Sequence, residues 1–168
     1  MSLLVLLTLV HTLISLVGIL TGFVVLAAML DGRHPRGWVL WFLTTTVLTS
    51  ATGYLFPVAK VMPSHIVGAI SLAVLIPAAY ALYSRQLAGG WRKVYVIGSV
   101  VGLYFNVFVL VAQGFAKVPV LKAAAPTQSE PPFAIAQLIV LITFIVLGYR
   151  AVKKFRGLPE NSPGVAIS

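Results

Sequence analysis

The sequence predicts an all-α protein, a polytopic transmembrane bundle of five helices with its N-terminus outside and its C-terminus in the cytoplasm. Three observations lead there. Five apolar runs occupy residues 3–30, 38–56, 65–84, 94–115 and 133–149, and nearly every charge falls in the joints between them. A bilayer core about 30 Å thick takes about 20 helical residues to cross. Lipid offers no hydrogen-bond partners, so each run must satisfy its own backbone as an α-helix. The cations are also shared unevenly between alternate joints. Arg33, Arg36, Arg85, Arg92, Lys93, Arg150, Lys153, Lys154 and Arg156 fall on one side, and only Lys60, Lys117 and Lys122 on the other. That asymmetry follows the positive-inside rule and sets the orientation.

Other classes fit poorly. A chain that is 60% hydrophobic and 9% charged lacks the charged exterior of a soluble domain of 168 residues. The apolar residues run continuously and do not alternate, which excludes a membrane barrel. The net charge of +9 is concentrated in the short joints. It reads as a headgroup-facing rim and gives no indication of nucleic acid as a partner. Residues 1–156 form one transmembrane domain. Residues 157–168 are expected to be a disordered polar tail, since nothing in them can bury an apolar face.

Each element has its own signals. The first run lacks a basic leader and exceeds a signal peptide's apolar length, so it is read as a retained helix. At about 28 residues it is also overlong, which predicts a tilt or a protruding first turn. Asp31-Gly32-Arg33-His34-Pro35-Arg36-Gly37 stops one helix and opens the next, with His34 expected to be solvated. Trp38, Trp41, Trp91, Tyr83 and Tyr95 read as interface anchors on the basic side. The second outer joint runs from Pro57 to Ser64. The third, residues 116–132, is long and ends in a helix start: either a capping box over Thr127-Gln128-Ser129-Glu130, or Glu130 capping with Pro131 at the first helical position. Gly18-x-x-x-Gly22 and Gly98-x-x-x-Gly102 lie at similar depth, so the first and fourth helices are expected to cross there. His11 and His65 lie near similar Ile-Ser-Leu stretches, but the spacings differ and no internal repeat is supported.

Depth measured from the basic joints locates the polar residues. His11, His65 and Gln113 each lie about 20 residues from the nearest inner charge, hence about 30 Å from the inner face. Asn106 and Gln137 lie about 13 residues out, somewhat deeper. Polar side chains in spans turn toward the bundle interior or a watery cavity. These five are therefore the candidate ligand-binding residues, forming a layer beneath the outer loops. The alternative is a haem b site with His11 and His65 as paired axial ligands, the only metal-ligating roles the sequence offers.

Catalytic chemistry has little to work with. The only acids are Asp31, Glu130 and Glu160, all outside the spans, which argues against two-carboxylate catalysis and carboxylate-driven transport. Cysteine is absent, so there is no disulfide, thiolate ligand or thiol nucleophile. Ser64 and His65 are neighbours that do not face one another on a helix. No phosphate loop, dinucleotide fingerprint or H-E-x-x-H pair occurs.

The stretches Gly53-Tyr54-Leu55-Phe56-Pro57, Pro63-Ser64-His65-Ile66-Val67-Gly68, Leu103-Tyr104-Phe105-Asn106-Val107-Phe108-Val109-Leu110 and Ala125 to Phe133 resemble a group of small uncharacterised bacterial inner-membrane proteins. The resemblance covers most of the chain except the tail. It implies a bacterial inner membrane and brings no activity or cofactor with it. The expected function is non-enzymatic: binding of a lipophilic small molecule or another membrane protein at the outer polar layer. A haem b redox protein is the alternative, and a small-solute pore or carrier comes third.

Overall fold

The computed structural model describes residues 2–56 and 63–158. Among these the regular elements are all helices: α1 (Leu3–Leu30), α2 (Arg36–Gly53), α3 (Pro63–Tyr83), α4 (Trp91–Lys117), α5 (Pro119–Ala124) and α6 (Pro131–Lys154). The five long helices match the five apolar runs, and α5 is a six-residue turn inside the long joint. The joint carrying Lys60, and the tail from residue 159 onward, lie outside the described residues. α4 and α6 run beyond their apolar stretches because Arg92, Lys93, Arg150, Lys153 and Lys154 are good helix formers that keep a charged head outside while extending the helix.

Local chemistry sets the joints. The chain leaves α1 through Gly32 at φ +73°, where the Arg33 amide reaches back to the Ala28 carbonyl at 2.8 Å. This is the left-handed helix stop that glycine permits. At the start of α6, Pro131 takes the first helical position after Glu130. The Glu130 carboxylate makes no cap to α6. It turns back into the loop, accepting the Thr127 amide at 3.1 Å, the Thr127 hydroxyl at 2.8 Å and the Ser129 amide at 3.1 Å. Desolvation pulls its pKa upward, but these hydrogen bonds outweigh it and hold the carboxyl below its ordinary value.

Four helices, α1, α3, α4 and α6, are long and apolar enough to cross a membrane. α2 is 18 residues, about 27 Å by helical rise, but is diluted by Thr44, Thr45, Thr46, Thr49, Ser50 and Thr52. Two of its hydroxyls are neutralised locally, Thr45 donating to the Trp41 carbonyl at 2.6 Å and Thr52 to that of Leu48 at 2.7 Å, whereas the Thr49 hydroxyl is buried without a partner.

α4 is the hub and packs against all the other described helices. The core gathers Val25, Met29, Val39, Phe42, Leu75, Tyr95, Leu103 and Phe155, all toward the basic end of the bundle. Buried positions on α1 begin at Gly18, and residues 3–10 lie beyond the level at which His11 meets the end of α2. The excess length of α1 is thus an overhang of about 12 Å.

The two glycine pairs do not meet each other as expected. A Cβ at Gly22 would lie 2.5 Å from Leu103 Cδ1 and 2.9 Å from the Phe42 ring, so α1 uses its pair against both α2 and α4. A Cβ at Gly98 would lie 2.6 Å from the Val74 carbonyl oxygen and 2.8 Å from Ala78, so α4 uses its pair against α3. Matching depth was correct for both pairs, but depth does not fix the face a helix presents.

Gly98→Ala must therefore push backbone against backbone. It should lower stability in detergent by about 1–3 kcal/mol, whereas Gly37→Ala, with nothing within 4 Å, should be near neutral. Equal unfolding midpoints for the two variants would refute this account of the α3–α4 contact.

Candidate functional site

At the end of the bundle away from the basic joints, two histidines meet the C-terminal end of α2. Thr52 Oγ1 spends its proton on the Leu48 carbonyl, so it accepts at 2.8 Å from His11 Nδ1. This fixes the neutral imidazole as the Nδ1–H tautomer and leaves Nε2 with its lone pair. Phe56 meets the same ring edge-on at 5.3 Å between centroids. On the α3 side, the Tyr54 hydroxyl donates to the His65 carbonyl at 2.7 Å, and the two rings lie 5.4 Å apart. Both histidines are half-buried. The equal depth read from the basic joints is thus realised at α2, which packs against both α1 and α3.

The other candidates divide. Asn106 is buried and donates to Thr46 Oγ1 at 3.2 Å, beside Gly18, where a Cβ would sit 3.4 Å from its Nδ2. Gln137 is buried and donates to the Phe108 carbonyl at 3.1 Å, while its Oε1 has no partner. These two tie α4 to α2 and α6 to α4 instead of lining an opening. Gln113 is exposed on α4, outside any layer formed with the histidines. Gln128 fills that region instead, donating to the Ala112 carbonyl at 2.8 Å and folding the loop over α4. The expected layer is therefore a histidine-and-aromatic rim around the end of α2, with separate interhelical ties below it.

Sequence reading missed the threonines of α2. Thr45 and Thr46 are buried beside Gly18 and Asn106, and Ser50 is buried with its carbonyl facing Gly68 of α3. The signal was present: a hydroxyl at positions 45, 46, 49, 50 and 52 of one helix marks the polar face that the others must cover. No group of three or more His, Asp or Glu side chains capable of holding a metal ion occurs among the described residues.

A second cluster closes the basic end. His34, expected to be solvated, is half-buried, and both its ring nitrogens lie inside the protein without a partner. Its ring packs 5.9 Å from Tyr95 and 6.1 Å from Phe155, and those two rings are 5.8 Å apart. Tyr95, expected at the interface, is fully buried, with an unpartnered hydroxyl. The reason is the chain following α6: Arg92 donates to the Phe155 carbonyl, and to that of Val152 at 3.4 Å, folding Phe155 over the joint. Burial, then the Arg36 charge, push the His34 pKa below its ordinary 6.5, against a weaker upward pull from its own backbone.

The sign of the resulting linkage follows. Above pH 6.5 the ring is neutral folded or unfolded, and its titration contributes no slope; below it the unfolded chain gains a proton that the folded chain resists. Stability should therefore fall as pH drops below 6.5. His34→Phe should flatten that part of the profile and, by removing two orphaned nitrogens, stabilise by about 1 kcal/mol or more. An unchanged profile in thermal unfolding of the variant would sink this reading.

The comparisons add no relative to this geometry: no family model, no curated protein and no solved structure matches the chain.

Proposed function

We propose that the chain is a five-span protein of a bacterial inner membrane, with its N-terminus outside, that binds a lipophilic small molecule or another membrane protein at the rim around α2. The bacterial assignment rests on the resemblance of its loop stretches. Orientation rests on the grouping at one end of Arg33, Arg36, Arg85, Arg92, Arg150 and Lys153, with Lys117 and Lys122 at the other. α2 is taken as the fifth span because it packs between α1 and α3, with the Thr45 and Thr52 hydroxyls bonded back to their own helix.

One observation carries the binding role. His11 is held in a single tautomer by Thr52, with Phe56 against its ring, so Nε2 is a pre-oriented acceptor beside an aromatic surface. This suits a weakly polar molecule with one hydroxyl or N–H group, since a small number of placed polar groups on an apolar wall fixes orientation. The same oriented Nε2 favours haem b as a second reading, because ligating histidines characteristically donate their other ring N–H to a protein oxygen. It ranks second because α2 packs between the helices carrying the two histidines.

Two measurements test this. Organic extracts of the purified protein should contain a bound species that is depleted in His11→Ala and His65→Ala at unchanged thermal stability; identical extracts would remove the site. A Soret band lost on His11→Ala would move the haem reading to first place. For topology, the absence of cysteine gives a clean background. Leu55→Cys and Val120→Cys should react with an impermeant maleimide in intact cells, and Gly37→Cys only after permeabilisation. Labelling of Leu55→Cys and Gly37→Cys from the same side would show that α2 does not cross.

A further inference from the structure

A groove of about 400 Å³ lies between α4 and α6, lined by Ile97, Val101, Tyr104, Ile145, Gly148 and Val152 among others. Its walls are apolar throughout. Gly148 lets the helices close at its floor, where an added Cβ would lie 3.2 Å from Val100. Along α6 the lining runs from Leu141 to Val152, about 16 Å at helical rise. One leaflet of the hydrocarbon core is about 15 Å deep. The groove therefore has the length of one leaflet and opens toward the side where lipid would lie.

Its inner end carries the charge. The lining stripe of α4, Tyr104–Val101–Ile97, continues one turn toward the basic end to Lys93. On α6 the stripe continues from Tyr149 to Lys153, and Arg156 follows two residues past the helix end, beside Gly157, where an added Cβ would lie 3.8 Å from Arg92 Cδ. Lys153 Nζ stands 4.5 Å from the centroid of the Tyr149 ring, itself part of the lining. All three cations are exposed, and neither helix contains an acidic residue. Arg92, close by, is occupied with the carbonyls of Val152 and Phe155.

From this juxtaposition we propose that the α4–α6 groove is a binding site for an anionic phospholipid of the inner leaflet, its acyl chain along Ile97, Val101 and Ile145 and its phosphate held by Lys93, Lys153 and Arg156. The site rests on the membrane reading above but is independent of the histidine rim. A second copy of the chain is the less suited occupant, because the three cations at the mouth would face the same three of its twin.

The test uses the full-length protein reconstituted into phosphatidylcholine vesicles containing spin-labelled phosphatidylglycerol or spin-labelled phosphatidylcholine. The wild type should immobilise the anionic probe preferentially. Basic residues near an anionic surface attract it, so the triple variant Lys93→Gln, Lys153→Gln, Arg156→Gln should cut that preference by at least about two- to fivefold while immobilising the zwitterionic probe as before. Ile97→Trp, at an exposed position, should abolish the preference by filling the groove without altering thermal unfolding. Equal immobilisation of both probes, or a preference indifferent to both variants, would overturn the proposal. So would a dimer that Ile97→Trp converts to monomer, since that would assign the groove to a second copy. Failure of the protein to float with the vesicles would instead refute the membrane reading, a distinguishable result.

Discussion

The rest of this structure depends on one constraint: a polar group among apolar helices must find its partner inside the protein. The backbone solves it by being helical in all the long elements. Side chains solve it in two ways. Hydroxyls turn back on their own helix, as Thr45 does to Trp41 and Thr52 to Leu48. Amides reach across, as Asn106 does to Thr46 and Gln137 to the Phe108 carbonyl. Such interhelical bonds average only about 0.6 kcal/mol each in lipid, so their larger role is to choose which faces meet.

Small residues determine how closely those faces meet. α4 serves as the hub because it has Gly98 and Gly102 toward α3 while accepting Gly22 and Gly18 of α1 on another side. Leu103 fills the hollow left at Gly22 together with Phe42. The economy is incomplete, since the Thr49, Ser71 and Ser99 hydroxyls and Gln137 Oε1 are buried without a partner, and it fails again at the basic end. Folding Phe155 over the joint completes the core, but it strands the His34 nitrogens and the Tyr95 hydroxyl. Arg92, satisfying the carbonyls at the end of α6, holds that arrangement in place.

Much of this was legible before any coordinates. Continuous apolar runs determined the helices, and distance from the basic joints brought His11 and His65 to one level, because helical rise converts residue count directly into depth. Rotation about the helix axis has no such ruler. Gln113 is therefore placed in an inward layer it does not join, and the α1 glycines, which do meet α4, meet its Leu103 and Asn106 while the α4 pair turns to α3. His34 and Tyr95 were misread for a related reason. A polar joint reads as solvated unless some distant segment covers it, and the cover, Phe155, lies some 120 residues further along the chain in a stretch too polar to suggest burial. The α2 threonines were overlooked because each is unremarkable alone; only their repetition on one helix identifies the face that α1 and α4 must meet.

The two ends of the bundle are consequently unlike in what they can tolerate. Buried residues of α1 are confined to Gly18–Met29, and the core lies toward the basic joints, so that half resists change and carries the charges that suit a lipid headgroup. In the opposite half, His11 meets α2 through one hydrogen bond to Thr52 and one ring edge at Phe56. Local opening is easiest where apolar contacts are sparse. A molecule docking at the rim can therefore rearrange the end of α2 while the glycine-packed half stays closed. On the proposed reading, ligand exchange at the rim would need no unfolding of the bundle, with stability and the proposed binding in different halves of the same helices.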